Sequence, residues 1–296
     1  MFDLFKRIFP DKNEGGINVN DKTVPLAKVQ GKKSNKVRSS GKYRVASCQS
    51  PGKARFHNED ALFSLSCELF TLDEPVYFGI FLVADGMGGH QSGEVASRLA
   101  AQAASREIME RVFNSIVYDG GSRSDDEFLK VANDAVLQAQ TMIHRRVPGG
   151  GTTLTLSLIV DDQIYTAHVG DSRLYVIDKN GGLDLKTKDH SLVKRLVDLG
   201  EISAQEASTH PQRNVLYRAL GQDDPLKPDL GQISLDVNEI MLICSDGLWG
   251  VVDADQIESI IKRAQTLEAA TCELINAANN AGGPDNISAI LVERLS

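Results

Sequence analysis

The sequence predicts an α+β chain in which two packed antiparallel sheets are flanked by pairs of helices. Three observations carry this. Strand-like runs come both before and after two pairs of helices. The middle is three strands joined by tight turns, at Asp161-Asp162 and Gly170-Asp171. The order is not the strict βαβ alternation of a doubly wound fold.

Each element has its own reason. Tyr43 to Gln49 and Ala61 to Cys67 read as strands, and the very apolar Tyr77 to Ala84 as a buried one. Val95, Leu99 and Ala103, then Ile108, Val112 and Ile116, recur every fourth residue and predict a long helix. Phe128, Ala132, Ala135, Ala139 and Met142 predict a second. Gly149-Gly150-Gly151 breaks the chain, and lacks the Lys-Ser/Thr continuation of a phosphate loop. Thr152 to Val160, Ile164 to Val169 and Arg173 to Ile177 form the middle strands. Short helical pieces follow at Leu192 to Leu199 and Ala204 to Ser208. Leu230 to Leu235 and Glu239 to Cys244 are strands, Ala254 to Ala264 and Leu267 to Ala281 helices, and Asn286 to Glu293 the last strand.

The chain has 296 residues and a formal net charge of −8, which argues against a nucleic-acid binder. Cys48, Cys67, Cys244 and Cys272 are scattered without a C-x-x-C pair, which suits reduced thiols in a cytoplasmic protein. No apolar run is long enough to span a bilayer. Residues 1–42 differ from the rest. Ten Lys/Arg against four Asp/Glu give them +6, leaving −14 for residues 43–296. This basic segment is expected to be disordered or loosely held. Phe2, Leu4, Phe5, Ile8 and Phe9 share one side of a helical wheel. A helix packed on its own domain, or a frayed terminus, is the favoured reading over membrane contact by residues 1–9.

The chemistry centres on Val83-Ala84-Asp85-Gly86-Met87-Gly88-Gly89-His90, an apolar strand that delivers an acid to a glycine-rich turn. A hard cation takes oxygen ligands, and glycine lets a backbone carbonyl join them. Asp60, Asp171, Asp246 and Asp285 recur in the same setting, beside turn residues at or near strand ends. Each alone is an ordinary turn residue. Five together would repel without cations. An all-oxygen set suits Mg²⁺ or Mn²⁺ rather than zinc.

Six motifs in order resemble the metal-dependent protein phosphatase family called PP2C or PPM: Arg55-Phe-His-Asn-Glu-Asp60, Asp85-Gly-Met-Gly-Gly89, Gly151-Thr-Thr153, Val169-Gly-Asp-Ser-Arg173, Ser245-Asp-Gly247 and Gly283-Pro-Asp-Asn286. The resemblance covers about residues 43–296. It implies a four-layer αββα sandwich and hydrolysis of phosphoserine and phosphothreonine in proteins, opposing a Ser/Thr kinase. It implies two Mn²⁺ or Mg²⁺ ions per site, and a weaker third. On it, Asp85 bridges both ions and the Gly86 carbonyl completes the second site. Asp246 and Asp285 complete the first, and Asp60 acts on the second through water. Asp171, with Asp246, belongs to the third, and Arg55 binds the substrate phosphate. The ions would activate a water for in-line attack.

The animal branch has histidine two residues after the bridging aspartate; here that residue is Met87, as in the bacterial branch. The general acid is therefore open among His57, His90 and a metal-bound water. Asp189-His190-Ser191 opens the region, about residues 190–215 with His210 and Arg213-Asn214, that matches the family's flap. Trp249 reads as a packing anchor. Two rivals stay open: a fold that binds without turnover, and a phosphohydrolase of small esters.

Overall fold

Two sheets stack face to face because each buries apolar residues on both of its sides. In the computed structural model residues 42–70, 75–88, 91–119, 124–178, 182–222 and 225–295 are described. His90 and the basic segment, Lys42 excepted, lie outside them. One sheet has the order β1 (Tyr43–Ser50), β11 (Ile287–Arg294), β10 (Ile240–Cys244), β7 (Arg173–Ile177), β8 (Leu183–Leu185). The other runs β2 (Asp60–Phe70), β3 (Pro75–Met87), β5 (Leu154–Val160), β6 (Gln163–Val169), β9 (Asp229–Ile233), with β4 (Gly151–Thr152) paired to the end of β3. All these pairings are antiparallel.

Three apolar spaces separate four layers. Phe81, Val83, Ile159, Met241, Ile243 and Ile290 meet between the sheets. Phe78, Ile80 and Leu82, on the other face of β3, pack under α1 (Gln91–Ile108) and α3 (Asp125–Arg146). Leu242, Ala289 and Leu291 pack under α7 (Ala254–Arg263) and α8 (Leu267–Asn280). The αββα order is thereby observed. It also explains why β3 is apolar without alternation: both faces are buried. Each fully buried large side chain contributes about 1.5–3 kcal/mol.

The helices hold one correction. Of the stripe expected on α1, Leu99 and Ala103 pack half-buried at the edge of the core, but Val95 does not. Val95 is 41% exposed, whereas Ala96, Ala100, Ala104 and Ile108 are wholly buried. Alanines let the helix lie close to the sheet. Spacing by four drifts around a straight α-helix by about 40° per step. A π-helical turn at Met109–Phe113 offsets that drift. Val112 and Ile116 thus stay buried as expected, the latter on α2 (Asn114–Asp119). In α3, Phe128, Ala132, Ala135 and Ala139 are buried as expected, with Ile143 rather than Met142 extending the stripe. Ser124 and Glu127 close a capping box at its start, three acids fill its first turn, and His144, Arg145 and Arg146 sit in its last.

Two short elements escaped the pattern: β8, and α6 (Asp246–Trp249). The segment expected from Thr152 is split at Thr153: its N–H keeps the β3 register, donating to Asp85 O at 2.8 Å, but the Asp85 N–H donates to Thr153 Oγ1 at 2.9 Å, on the side chain. This topology gathers chain breaks at one end of the sandwich. Asp60 starts β2 and pairs directly with Asp85 on β3. Asp171 lies in the turn between β6 and β7, Asp246 follows β10, and Asp285 precedes β11.

The helix register is testable by urea denaturation. Ala100→Leu should cost about 1–3 kcal/mol by overpacking, whereas Val95→Ala should change stability by less than about 0.5 kcal/mol. The reverse ranking would place the buried stripe on Val95.

Candidate metal centre

A cleft of about 250 Å³ opens at this end, lined by Arg55, Glu59, Asp85, Gly86, Met87, Thr153, Asp171, Asn214, Leu216, Asp246, Asp285 and Asn286 among others. Six of the seven sequence-derived site residues therefore share one wall. Asp60 does not line it. It stands in the next row, 8% exposed, with Oδ2 accepting from Ser288 Oγ at 2.6 Å and Ser245 Oγ at 2.8 Å. Those two hydroxyls fix the carboxylate from the opposite sheet and leave Oδ1 buried with no partner. Asp246 Oδ1 is orphaned in the same way.

The backbone around Asp85 is pinned on both sides. Its N–H donates to Thr153 Oγ1 at 2.9 Å, and its carbonyl accepts from Thr152 Oγ1 at 2.8 Å. Thr153 Oγ1 in turn pairs with Ser172 Oγ at 2.8 Å. Gly86 N–H donates to Glu59 O at 3.2 Å. A Cβ at Gly86 would collide with Gly93 O and Glu59 O, so no larger residue fits there. A Cβ at Gly93 would meet both the Glu59 carboxylate and the Gly86 carbonyl, which places those two oxygens beside each other. Sequence reasoning passed over Glu59 and Gly93. Their signal lies in a contact between segments, not in either segment alone.

Asp171 is held through its backbone. Trp249 Nε1 donates to Asp171 O at 3.1 Å, and the Arg173 guanidinium lies 3.5 Å from the centre of the Trp249 ring. Arg173 forks onto Asp189, with Nε 3.0 Å from Oδ1 and Nη2 2.7 Å from Oδ2. His190 Nδ1 accepts from the Gly170 N–H at 3.0 Å, so Nε2 carries the proton and donates to Asp229 Oδ2 at 3.1 Å. Burial holds the His190 pKa below its ordinary value. Ser191 Oγ caps α4 (Leu192–Asp198) by accepting from Lys194 N at 3.3 Å. Asp189, His190 and Ser191 are thus three separate supports, not a triad. Beyond them, α4 and α5 (Ala204–Thr209) form an excursion that returns to the cleft at Asn214 and Leu216.

The electrostatics are those of crowded, buried acids. Burial is the first cause raising Asp85 well above its ordinary pKa, and the charges of Asp60, Asp246 and Asp171 add to it. Asp171 is raised well above by burial and then by Asp246. Burial pushes Asp60 up to about 7 against its two serine hydrogen bonds. Asp246 is raised by burial and by Asp285, while its contact with Asp85 works the other way. Among the described residues, no three His, Cys, Asp or Glu side chains converge as a preformed coordination set. The donor set nonetheless fits a hard divalent ion: carboxylates around one cleft, two buried orphan oxygens, and no thiolate or imidazole in its lining. Arg55 Nη2 lies 2.8 Å from Asp285 Oδ2, and that hydrogen bond raises the Arg55 pKa. His57 is exposed and does not line the cleft; its carbonyl accepts from Asn286 Nδ2 at 2.8 Å.

Residues 56–292 match the family described as Protein phosphatase 2C. This chain belongs to that family. It is 36% identical over 245 residues to the serine/threonine phosphatase stp of Listeria welshimeri, covering 82% of this chain and 92% of that protein. The Mycobacterium tuberculosis serine/threonine phosphatase PstP/Ppp superposes with a TM-score of 0.71 at 29% identity, over 86% of this chain and 99% of that one. The catalytic domain of the phosphatase PstP in complex with two manganese ions gives 0.69 at 28% identity, over 86% and 99%. No helix among the described residues is long and apolar enough to cross a membrane.

The raised carboxylates predict a pH signature. Asp60 ionises at an ordinary carboxylate pKa when unfolded, and at about 7 when folded. Between these values the unfolded chain releases the proton first, so stability is lost as pH rises through that window. In EDTA, Asp60→Asn should therefore be more stable than the parent at pH 7.5, by up to roughly 4 kcal/mol, with the gap narrowing towards pH 4.5. A gap independent of pH would show that Asp60 carries no such penalty.

Proposed function

We propose that the cleft hydrolyses phosphoserine and phosphothreonine esters of proteins, with Mn²⁺ or Mg²⁺ held by the aspartates and a Ser/Thr kinase supplying the substrates. The carrying observation is the cluster of buried carboxylates around Asp85, each raised above its ordinary pKa by burial and by its neighbours, in a chain of the protein phosphatase 2C family. Asp85 would be shared by two ions, with Asp246 and Asp285 holding the first and the Gly86 carbonyl the second. Asp60, set one row back, and Glu59, beside Gly86, act on the second site through water. Asp171 with Asp246 offers a third, weaker position. When bound, the ions supply Lewis acidity, making a water in the cleft nucleophilic near neutral pH and drawing charge from the phosphoryl oxygens.

The protein's own groups do the rest. Arg55 is half exposed at the rim, and its planar fork suits a phosphate. It exchanges Asp285 for the incoming dianion, so one guanidinium orients the substrate and screens an acid that then serves an ion. The Ser245 and Ser288 hydroxyls donate to the Asp60 carboxylate, and Thr153 Oγ1, paired with Ser172 Oγ, accepts from the Asp85 N–H, which keeps the site organised before substrate arrives. Met87 at the cleft wall has no proton to give, so the leaving alkoxide takes its proton from solvent in the cleft. Asn214 and Leu216, at the returning end of the excursion, meet the residues around the phosphoester and select among substrates. Free cysteines are consistent with a reducing, cytoplasmic setting.

Turnover of p-nitrophenyl phosphate and of a phosphothreonine peptide with Mn²⁺ checks this reading. EDTA or Asp85→Ala should lower kcat at least about 100-fold in folded protein, a loss of roughly 3 kcal/mol of transition-state stabilisation. Activity that survives either change would refute the reading, and much higher kcat/KM on nucleotides than on phosphopeptides would replace it with a small-ester hydrolase. Arg55→Ala should raise KM for the phosphopeptide about tenfold while Mn²⁺ affinity stays equal or improves, because Asp285 loses its competitor. Parallel loss of Mn²⁺ affinity would contradict the assigned role.

A further inference from the structure

We propose that Cys48 and Cys272 form a reversible disulfide that staples β1 to α8 when the protein meets hydrogen peroxide. The argument starts from register. Arg44, Cys48 and Ser50 alternate along β1 and so share one face of the strand. Ala46 and Cys48 on that face pack into the apolar layer beneath α7 and α8. Glu268, Cys272 and Asn279 are spaced by four and seven along α8 and so share one face of the helix. The two rows are matched at both ends. Arg44 acts electrostatically on Glu268, and Asn279 Nδ2 donates to Ser50 Oγ at 3.2 Å. Cys48 and Cys272 fall between these pairs, with their thiols within hydrogen-bonding reach of each other.

Access assigns the order of events. Cys272 is exposed and Cys48 half-buried, while Cys244 is fully buried and Cys67 packs into the other helical layer. Cys272 therefore meets the oxidant. Its thiolate attacks peroxide, the O–O bond breaks, and the sulfur becomes a sulfenic acid as hydroxide leaves and takes up the thiol proton. Cys48 then attacks Cys272 Sγ; the S–S bond forms, the S–O bond breaks, and the oxygen leaves as water with the Cys48 proton. Two thiols lose two electrons in all, and one peroxide becomes two waters.

The staple sits under the cleft without entering it. Beyond Cys48, the chain leaves β1 for the loop carrying Arg55. Beyond Cys272, α8 ends at the loop carrying Asp285. Gly283 O ties the loops together, accepting from Lys53 N at 2.7 Å and Ala54 N at 3.1 Å. Because the thiols are already neighbours, closing the bond leaves this geometry in place and restrains the unfolded chain over a long loop. The oxidised protein should keep its turnover and resist heat.

The test exposes the full chain to hydrogen peroxide, removes the excess, alkylates the remaining thiols and digests with trypsin under non-reducing conditions. The expected result is two alkylatable thiols instead of four, and peptide 45–53 linked to peptide 264–294. Dithiothreitol should reverse the link, and Cys272→Ser should prevent it while leaving turnover unchanged. The oxidised parent should melt at least about 4 °C higher than the reduced one, with turnover within about twofold. Four free thiols, a link between chains, or sulfinic acid on Cys272 beside an alkylatable Cys48 would each overturn the proposal. So would a link that lowers Tm.

Discussion

Crowded like charge at one end of a sandwich is the constraint on which the structure depends. Asp60, Asp85, Asp171 and Asp246 are buried enough that each holds its proton above the ordinary carboxylate range. A fold built for stability alone would place apolar or neutral groups there. This one invests the opposite way. Serine and threonine hydroxyls from both sheets grip the acids, and Arg55 covers the outermost of them, Asp285. The acids carry their own repulsion, so in the proposed reading metal binding and local stability are one free-energy problem.

The rigid layers make that strain tolerable. Asp85 is the last acid on a strand whose two faces are both buried, and Asp60 faces it across the β2–β3 ladder. Neither backbone can retreat without breaking a dry core. Asp246 begins a short helix against β11, where Gly247 lies so close to Asn286 O that a Cβ would collide with it. Three backbones therefore converge with little freedom, so packing fixes where the acids enter the cleft. The excursion from α4 to Leu216 is different in kind. Most of its surface is exposed, and it meets the cleft only at its end. It can vary in sequence without disturbing the acids, which suits a part that selects substrates.

The acids themselves were legible in the sequence, because each stands beside a turn residue where a strand runs out, and because six motifs fell in one order. Their supports were not. Ser245 and Ser288 reach Asp60 from 185 and 228 residues away, and isolated serines carry no pattern. Glu59 was overshadowed by its neighbour Asp60, since adjacent acids in a strand entry differ only in which way the pleat turns them. The helix α1 misled for a related reason. Its buried stripe is mostly alanine, which gives little hydrophobic signal, while the larger Val95 beside it points outward. The four-layer order was clearer, because a strand such as Tyr77–Ala84, apolar on both faces, needs a covering layer on each side.

The central claim is that the Asp85 carboxylate, buried beside Asp246, is the oxygen donor common to two divalent ions. Anomalous diffraction from crystals grown with Mn²⁺ tests it most directly. The account predicts two peaks, each about 2 Å from an Asp85 oxygen, with one also against Asp246 and Asp285. Density elsewhere, with Asp85 and Asp246 still hydrogen-bonded to each other, would contradict it.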